Sequence, residues 1–204
     1  MATLCFIRHG ETDYNAKGII QGQYDAPLNS HGREQAILLA KRLAKNPPDV
    51  LYSSDSSRAH DTARAVAEAC DLPIHLDKRL REIAMGRWEN QPWREMHKRY
   101  PEEWKQARSG DPTFKHGGGE STIEVQTRMV EAVSDILAAH EGKNIAIVSH
   151  GYAIRTYFAH VLDLSLTHIV RRFQLKNTCI SYVDPPRNGK LGRLLTLNDT
   201  HHLD

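Results

Sequence analysis

Short apolar runs alternate with amphipathic segments through the first 160 residues, and this alternation constrains the fold more than any other feature of the chain. Four apolar runs read as buried strands, at residues 3–7, 50–53, 72–76 and 145–148. Between them, apolar residues recur at helical spacing in the segments 31–45, 56–70, 121–140 and 151–162. Such alternation is typical of a mostly parallel sheet covered by helices on both faces. The pattern therefore predicts an α/β fold, a three-layer α/β/α sandwich.

Two regions depart from this alternation. Near the end of the chain, the β-like runs Thr178–Val183 and Arg193–Leu197 flank a turn-rich stretch, which predicts a C-terminal hairpin. Residues 84–120 are rich in tryptophan, proline and glycine, and we expect one helix there, from about Pro92 to Ala107. We interpret 84–120 as a cap-like insertion in a single domain that spans residues 1–204, because 204 residues fit one domain.

Composition excludes several classes of protein. The chain has 27 basic and 25 acidic residues and no extended basic cluster, which argues against a nucleic-acid partner. No apolar run approaches the length of a membrane span, and the N-terminus lacks the basic start and long apolar run of a signal peptide. The three cysteines lie in apolar contexts and read as buried thiols. We therefore expect a cytoplasmic protein with no membrane partner.

Two histidines follow predicted strands in matching contexts, Arg8-His9-Gly10 and Ser149-His150-Gly151. Ligands of open α/β sheets bind beyond the carboxyl ends of the strands, so we expect both histidines at one edge. A helix that begins after Ser54 places Arg58 near the same edge. Arginine forks bind phosphate or carboxylate, and the residues therefore predict a site for an anionic group, most simply phosphate.

A metal site is the alternative explanation for a chain with 12 histidines. Zinc sites usually show local spacings such as His-x-x-x-His, whereas the nearest pair here, His201-His202, is adjacent. Two arginines in the pocket would also repel a divalent cation. We therefore predict no metal and no cofactor. Eight histidines receive no role: His31, His60, His75, His97, His116, His140, His160 and His168.

The segment Leu4–Thr12, followed by Asn15, Gln21-Gly22 and Pro27-Leu28, resembles the signature opening of the histidine phosphatase superfamily, the phosphoglycerate-mutase-like proteins. The resemblance extends over essentially the whole chain. Its later matches are Tyr52–Asp55, Arg58, Glu82, Gly118–Ser121, Ser149–Gly151 and the tail Asn198–Leu203.

The resemblance implies a role for each matching residue. His9 is similar to the nucleophile that becomes a phosphohistidine, and a backbone carbonyl near Gly10 is expected to set its tautomer. Arg8, Arg58 and His150 resemble the clamp on the phosphoryl oxygens, with Asn15 as a further donor. Glu82 resembles the proton donor to the leaving oxygen, a task for which it must hold a proton at the working pH. Substrate contacts are also expected from Gln21, Gly22 and His202.

The same centre serves phosphatases and mutases. The stretch Glu82–Gln91 is similar to the phosphatase branch, so we favour a metal-independent phosphatase acting on a small phosphorylated metabolite. The alternatives are a phosphoglycerate mutase and a non-catalytic phosphate binder. Candidate substrates are phosphosugars, phosphoglycerates, phosphoserine and ribazole phosphate. Met85 stands where some phosphoserine-specific relatives carry a histidine, which weakens the phosphoserine assignment.

Selection among substrates is expected from the cap, through side chains that could equally form its own small core. These side chains are Arg87, Trp88, Trp93, Met96 and Trp104. An exposed edge strand or helix could pair two copies into a homodimer, although nothing in the sequence requires it.

Overall fold

The computed structural model describes residues 3–167, 169, 172–186 and 191–204. The described strands are β1 (Leu4–Arg8), β2 (Val50–Ser53), β3 (Ile74–Leu76), β4 (Ile145–Ser149), β5 (Ile180–Asp184) and β6 (Arg193–Asp199). They form one sheet in the order β3-β2-β4-β1-β5-β6. The first four strands pair in parallel, whereas β5 is antiparallel to both β1 and β6. The prediction of a mostly parallel sheet with a C-terminal hairpin is confirmed. The tip of that hairpin lies outside the described residues, as does His168.

Helices cover both faces of the sheet. They are α1 (Asp13–Lys17), α2 (Ser30–Leu43), α3 (Ser57–Cys70), α4 (Met96–Arg99), α5 (Pro101–Ser109), α6 (Thr122–Ala139) and α7 (Gly151–Val161). Successive side chains of a strand point to opposite faces. In β1, Leu4 and Phe6 accordingly join one core cluster with α6 and α7, and Cys5 and Ile7 join another with α2 and α3. The predicted three-layer sandwich is confirmed. Among the described helices, none is long and apolar enough to cross a membrane.

Local capping chemistry sets where the main helices begin. Before α6, the Ser121 side chain accepts from the backbone N–H of Glu124, and the Glu124 side chain accepts from the Ser121 N–H, which completes a capping box. Before α2 the cap is Asn29, whose side chain accepts from the Gly32 N–H at 2.7 Å. The helix thus begins at Ser30, one residue before the predicted segment 31–45.

The single helix predicted from about Pro92 to Ala107 is wrong. The chain instead forms a short 3-10 turn, then α4, then α5, with a break at Tyr100. Pro101 explains the break, because a proline disfavours the helical conformation of the residue before it. Tyr100 accordingly has φ −137° and ψ 63°, while Pro101 itself begins α5, where its missing N–H costs nothing.

Two stretches of the cap-like segment approach each other so closely that only glycine fits between them. A Cβ on Gly119 would lie 2.1 Å from the Ala84 carbonyl oxygen, and a Cβ on Gly86 would lie 2.3 Å from that of Gly117. The Glu120 N–H donates to the same Ala84 carbonyl at 2.8 Å. The glycines at 117–119 therefore let the C-terminal end of the cap-like segment pack against its N-terminal end, at residues 84–86, close to Glu82.

Candidate active site

The parallel register of β1 and β4 brings the two predicted histidines together. Arg8 pairs with Ser149, so His9 and His150 leave the sheet side by side. Their ring centroids are 5.1 Å apart, and both residues are buried. The expectation that they share one edge of the sheet is met.

The tautomer of His9 is set by its own loop. Its Nδ1 lies 2.7 Å from the Gly10 carbonyl oxygen, an acceptor, so Nδ1 carries the proton of the neutral ring. The second nitrogen, Nε2, then holds a lone pair, and His9 lines a cavity of about 600 Å³. This arrangement suits attack by Nε2 on an electrophile bound in that cavity.

Burial keeps both imidazoles neutral. It lowers the pKa of His9 well below 6.5, and the charges of Arg58 and Arg8 lower it further. The pKa of His150 is lowered for the same reasons, first by burial and then by Arg58. A neutral His9 is the form that a nucleophile requires.

Two guanidinium groups are fixed beside these rings by backbone carbonyls. Arg8 Nη1 donates to the Leu175 carbonyl at 2.7 Å. Arg58, which is fully buried, donates through Nη1 to Tyr24 at 2.9 Å and through Nη2 to Gly22 at 2.8 Å. Burial lowers the pKa of both groups, and the carboxylate of Glu82 opposes this shift. Arginine nevertheless stays protonated in proteins, so both groups bring positive charge to the site.

Three buried nitrogens around His9 have no hydrogen-bond partner among the described residues: Nε of Arg8, Nε of Arg58 and Nδ1 of His150. The other nitrogen of His150, Nε2, lies 2.9 Å from the Ser54 hydroxyl. When that hydroxyl donates to Nε2, Nδ1 becomes a donor as well. Buried donors without partners are costly, and an anion with several oxygen atoms would satisfy all three.

Asn15 adds a neutral donor at the rim of this group. Its Oδ1 accepts from the Thr12 N–H and from the Asn177 side chain, each at 3.2 Å, which leaves the amide Nδ2 for the cavity. Gln21 also lines the cavity, with its Oε1 accepting from the Thr12 hydroxyl at 2.9 Å. Gly22 must be glycine here, because it has φ +55° and a Cβ would lie 2.2 Å from the Glu89 carboxylate.

Glu82 reaches the same cavity from the other side of the sheet edge. Its carboxylate accepts the backbone N–H groups of Tyr152 and Ala153, at the N-terminus of α7, each at 3.1 Å. Helix N-termini attract negative charge, so this contact fixes the side chain in place. The carboxyl group of Glu82 is thereby held in the lining of the cavity that Arg8 and Arg58 also line.

The cavity has a volume of about 600 Å³ and is shared by the sheet edge and the cap-like segment. Of the nine predicted site residues, seven line it: Arg8, His9, Asn15, Gln21, Gly22, Arg58 and Glu82. His150 is buried behind them, against His9. Of the expected selector residues, Trp93 and Trp104 line the cavity, with ring centroids 5.0 Å apart. Trp88 and Met96 belong to the core instead, and Arg87 pairs with Glu103.

Several residues that line the cavity received no role from the sequence, among them His116, Thr122, Tyr152 and Arg155. His116 was expected to have none, yet it is buried against the rings of Trp88, Phe114 and Tyr152. Its Nδ1 lies 3.3 Å from the Glu120 carbonyl, and burial lowers its pKa. Arg155 lies on α7, five residues after His150, and its place in the superfamily resemblance, after Ser149–Gly151, was the signal that could have assigned it.

His202 does not line this cavity. It lies beside a second, basic cavity with Lys41, Arg42 and His201, and its Nε2 contacts the Thr178 hydroxyl at 3.2 Å. The tail therefore packs beside α2, and the substrate contact expected from His202 stays a prediction. Across the described residues, no three His, Cys, Asp or Glu side chains converge as metal ligands.

Curated and solved proteins resemble this chain over its full length. The probable phosphoglycerate mutase GpmB of Serratia proteamaculans (strain 568) is 37% identical over 208 residues, which cover 100% of this chain and 96% of the relative. A histidine-to-alanine variant of phosphoserine phosphatase from Entamoeba histolytica, solved with phosphoserine, is 33% identical with a TM-score of 0.89, and covers 100% of both chains.

A third similar structure is a mycobacterial glucosyl-3-phosphoglycerate phosphatase in complex with VO3. It is 29% identical with a TM-score of 0.88, covering 97% of this chain and 99% of that chain. The family model of the histidine phosphatase superfamily (branch 1) matches residues 4–200. The family model and the arrangement of residues around His9 point to the same family. The chain therefore belongs to the histidine phosphatase superfamily.

Proposed function

We propose that the protein is a metal-independent phosphatase that hydrolyses the monoester of a small phosphorylated metabolite through a phosphohistidine on His9. One observation carries the proposal: three buried nitrogens without partners, on Arg8, Arg58 and His150, surround a histidine whose Nδ1 proton is fixed by Gly10. These donors match the three equatorial oxygens of a phosphoryl group in transfer.

In the first half of the proposed reaction, the lone pair on His9 Nε2 attacks phosphorus in line with the ester oxygen. The N–P bond forms, the P–O bond to the alcohol breaks, and Glu82 gives its proton to the departing oxygen. Arg8 and Arg58 stabilise the phosphoryl charge, and Asn15 donates to one of its oxygens.

In the second half, Glu82, now ionised, accepts a proton from water, and the water oxygen attacks phosphorus. The N–P bond breaks, its electron pair returns to Nε2, and inorganic phosphate leaves. The carbonyl of Gly10 holds the ring in the same tautomer throughout, so no rearrangement of His9 is needed between the two halves.

A small phosphorylated metabolite is the substrate class that the neighbours support. The Entamoeba histolytica phosphoserine phosphatase is solved with phosphoserine and with 3-phosphoglyceric acid. Here Met85, an uncharged side chain, lines the cavity beside the aromatic walls. A panel of phosphosugars, phosphoglycerates, phosphoserine and ribazole phosphate, compared by kcat/KM, identifies the preferred substrate.

The central test is trapping of the intermediate. The wild-type protein, quenched during turnover of a radiolabelled phosphate ester, should carry a label that survives alkali and is lost in acid, as a phosphorus–nitrogen bond requires. His9→Ala should lose the label and nearly all turnover. His31→Ala, at a histidine whose side chain is 60% exposed on α2, serves as the matched control. Turnover by His9→Ala near the wild-type rate would show that the nucleophile is another group.

Phosphoglycerate mutase is the second candidate, favoured by the 37% identity to relatives named as probable mutases. Both reactions begin with the same phosphohistidine, and they differ in whether water or a second substrate oxygen receives the phosphoryl group. Incubation with 3-phosphoglycerate and a trace of 2,3-bisphosphoglycerate separates them. Release of inorganic phosphate in excess of 2-phosphoglycerate supports the phosphatase, and the reverse ratio supports the mutase.

A further inference from the structure

Glu82 stands in a segment that has no regular secondary structure. Residues 81–85 belong to no helix or strand, so their backbone N–H and C=O groups need partners from elsewhere. An unsupported segment of this kind would let a catalytic side chain drift. Several of the partners that it finds are side chains from other parts of the chain.

Arg128, on α6, supplies two of them, and its side chain uses all five of its N–H donors. Nη1 donates to the carbonyls of Arg79 at 2.7 Å and Arg81 at 2.6 Å, and Nη2 donates to the carbonyl of Glu82 itself at 3.0 Å. The remaining donors, on Nε and Nη2, bind the two carboxylate oxygens of Glu120 at 2.8 and 2.9 Å. One guanidinium group thus binds the backbone carbonyls of Glu82 and of two residues that precede it.

Two carboxylates secure the N–H groups of the same segment. Glu120, held by Arg128, accepts from the Ala84 N–H at 2.8 Å. Glu89 accepts from the Met85 N–H at 2.9 Å. The backbone on both sides of Glu82 is therefore pinned, and its side chain is directed to the N-terminus of α7.

We propose that Arg128 is a positioning residue for Glu82, a role that rests on the proposed phosphatase reaction. Arg128 does not line the cavity, and its hydrogen bonds go to backbone carbonyls around Glu82 and to the Glu120 carboxylate. Lysine cannot reproduce the contact, because three carbonyls and a bidentate carboxylate need the planar fork of five donors. Misplacement of a catalytic group by about 1 Å can cost about 100-fold in rate.

A purely stabilising ion pair would behave differently, and Arg79 provides the comparison. Its side chain also ties this region to α6, through Asp135, but it contacts no backbone of residues 81–85. Arg79→Gln therefore loosens the same two elements without releasing Glu82. An effect specific to proton donation should appear in Arg128 variants alone.

The experiment compares kcat/KM for p-nitrophenyl phosphate, whose leaving group needs no proton, with kcat/KM for glycerol 2-phosphate, whose leaving group does. Glu82→Gln sets the benchmark and should lower the alkyl-to-aryl ratio by about 100-fold, within the usual range for general acids. Arg128→Gln should lower the ratio by about 10-fold or more in the same direction. Arg79→Gln should leave it unchanged, and millimolar guanidinium ion should partly restore the ratio in Arg128→Ala.

A second readout does not depend on turnover. Hydrogen exchange of the Ala84 amide should speed up in Arg128→Gln and stay slow in Arg79→Gln, because the Ala84 N–H donates to Glu120, which Arg128 binds and Arg79 does not. If Arg128→Gln does not fold, Arg128→Lys supplies both measurements. A folded Arg128 variant with an unchanged ratio, or with unchanged exchange, overturns the proposal. A wild-type protein that hydrolyses neither ester refutes the phosphatase, while exchange still decides the positioning.

Discussion

The loop after β1, which carries His9, packs against the first turn of α2, and the contact is made at Gly32. A Cβ at Gly32 would lie 2.0 Å from the Glu11 carbonyl oxygen and 2.7 Å from the Glu11 nitrogen. The neighbouring contact is as tight, because a Cβ at Gly10 would lie 2.6 Å from the Gly32 carbonyl. Both neighbours are backbone, so neither can rotate away. We predict that Gly32→Ala destabilises the protein and lowers its turnover rate.

Two opposing effects decide the size of the change. Alanine is favoured over glycine inside a helix by about 1 kcal/mol, which would stabilise α2. Against this, a real Cβ does not come within 3.0 Å of another heavy atom, so the Glu11 backbone must move by about 1 Å. Overpacking of this kind costs about 1–3 kcal/mol. Because a backbone cannot yield as a side chain does, we expect the upper part of that range and a net loss of about 1–2 kcal/mol.

The displaced residue follows His9 by two positions, and the shift should therefore reach the nucleophile. A displacement of 1 Å can lower a rate by about 100-fold, so kcat for p-nitrophenyl phosphate should fall by about 10- to 100-fold. The melting temperature should fall by about 2–8 °C. Thermal unfolding and steady-state kinetics measure the two effects. Glu34→Ala, at an exposed position of the same helix, is the control for helix propensity. A Gly32→Ala protein with raised stability and unchanged kcat would refute the reasoning.

Three further predictions concern the cavity. Because burial lowers the pKa of His9 and His150 in the folded protein, unfolding takes up protons in acid. Stability should be fully present above about pH 6.5 and fall below it by up to about 1.4 kcal/mol per pH unit for each histidine. The free energy of unfolding, measured by urea titration at several pH values, should fall less steeply with decreasing pH in His150→Gln than in the wild type. An equal slope in the two proteins would contradict this origin. Turnover should be insensitive to a chelator; its abolition would show that a metal takes part. Trp104→Leu should raise KM for the preferred metabolite by about 2- to 10-fold, with kcat for p-nitrophenyl phosphate unchanged, and a fall in kcat would place Trp104 nearer the chemistry.

The strands, helices and site residues that could be predicted from the sequence are those that depend on local patterns. Apolar runs end at His9 and His150, and parallel pairing of neighbouring strands is enough to bring such residues together. Arg58 needed only the start of a helix after Ser54. The broken helix in the cap-like segment was also a local matter, since Pro101 marks the break.

What the sequence could not predict depends on contacts between distant segments. His116 reaches the cavity only because the glycines at 117–119 bring that stretch against residues 84–86. In the sequence, Arg128 looks like any other arginine on a helix. Its hydrogen bonds to the segment around Glu82 form only because α6 packs beside that segment. The position of His202 is of the same kind, since the tail that carries it packs beside α2, a segment far away in the sequence.

The division of the cavity between two parts of the chain has a consequence for protein engineering. The groups proposed to bind phosphate come from the sheet edge, at residues 8–15, 58 and 150, whereas the two tryptophans that line the cavity come from residues 84–120. We expect residues 84–120 to be exchangeable between relatives as a cassette that changes substrate choice and leaves the proposed phosphoryl-transfer centre intact. Such a graft must keep the glycines at 86, 117 and 119, because the close approaches that they allow hold the two ends of the cassette together next to Glu82.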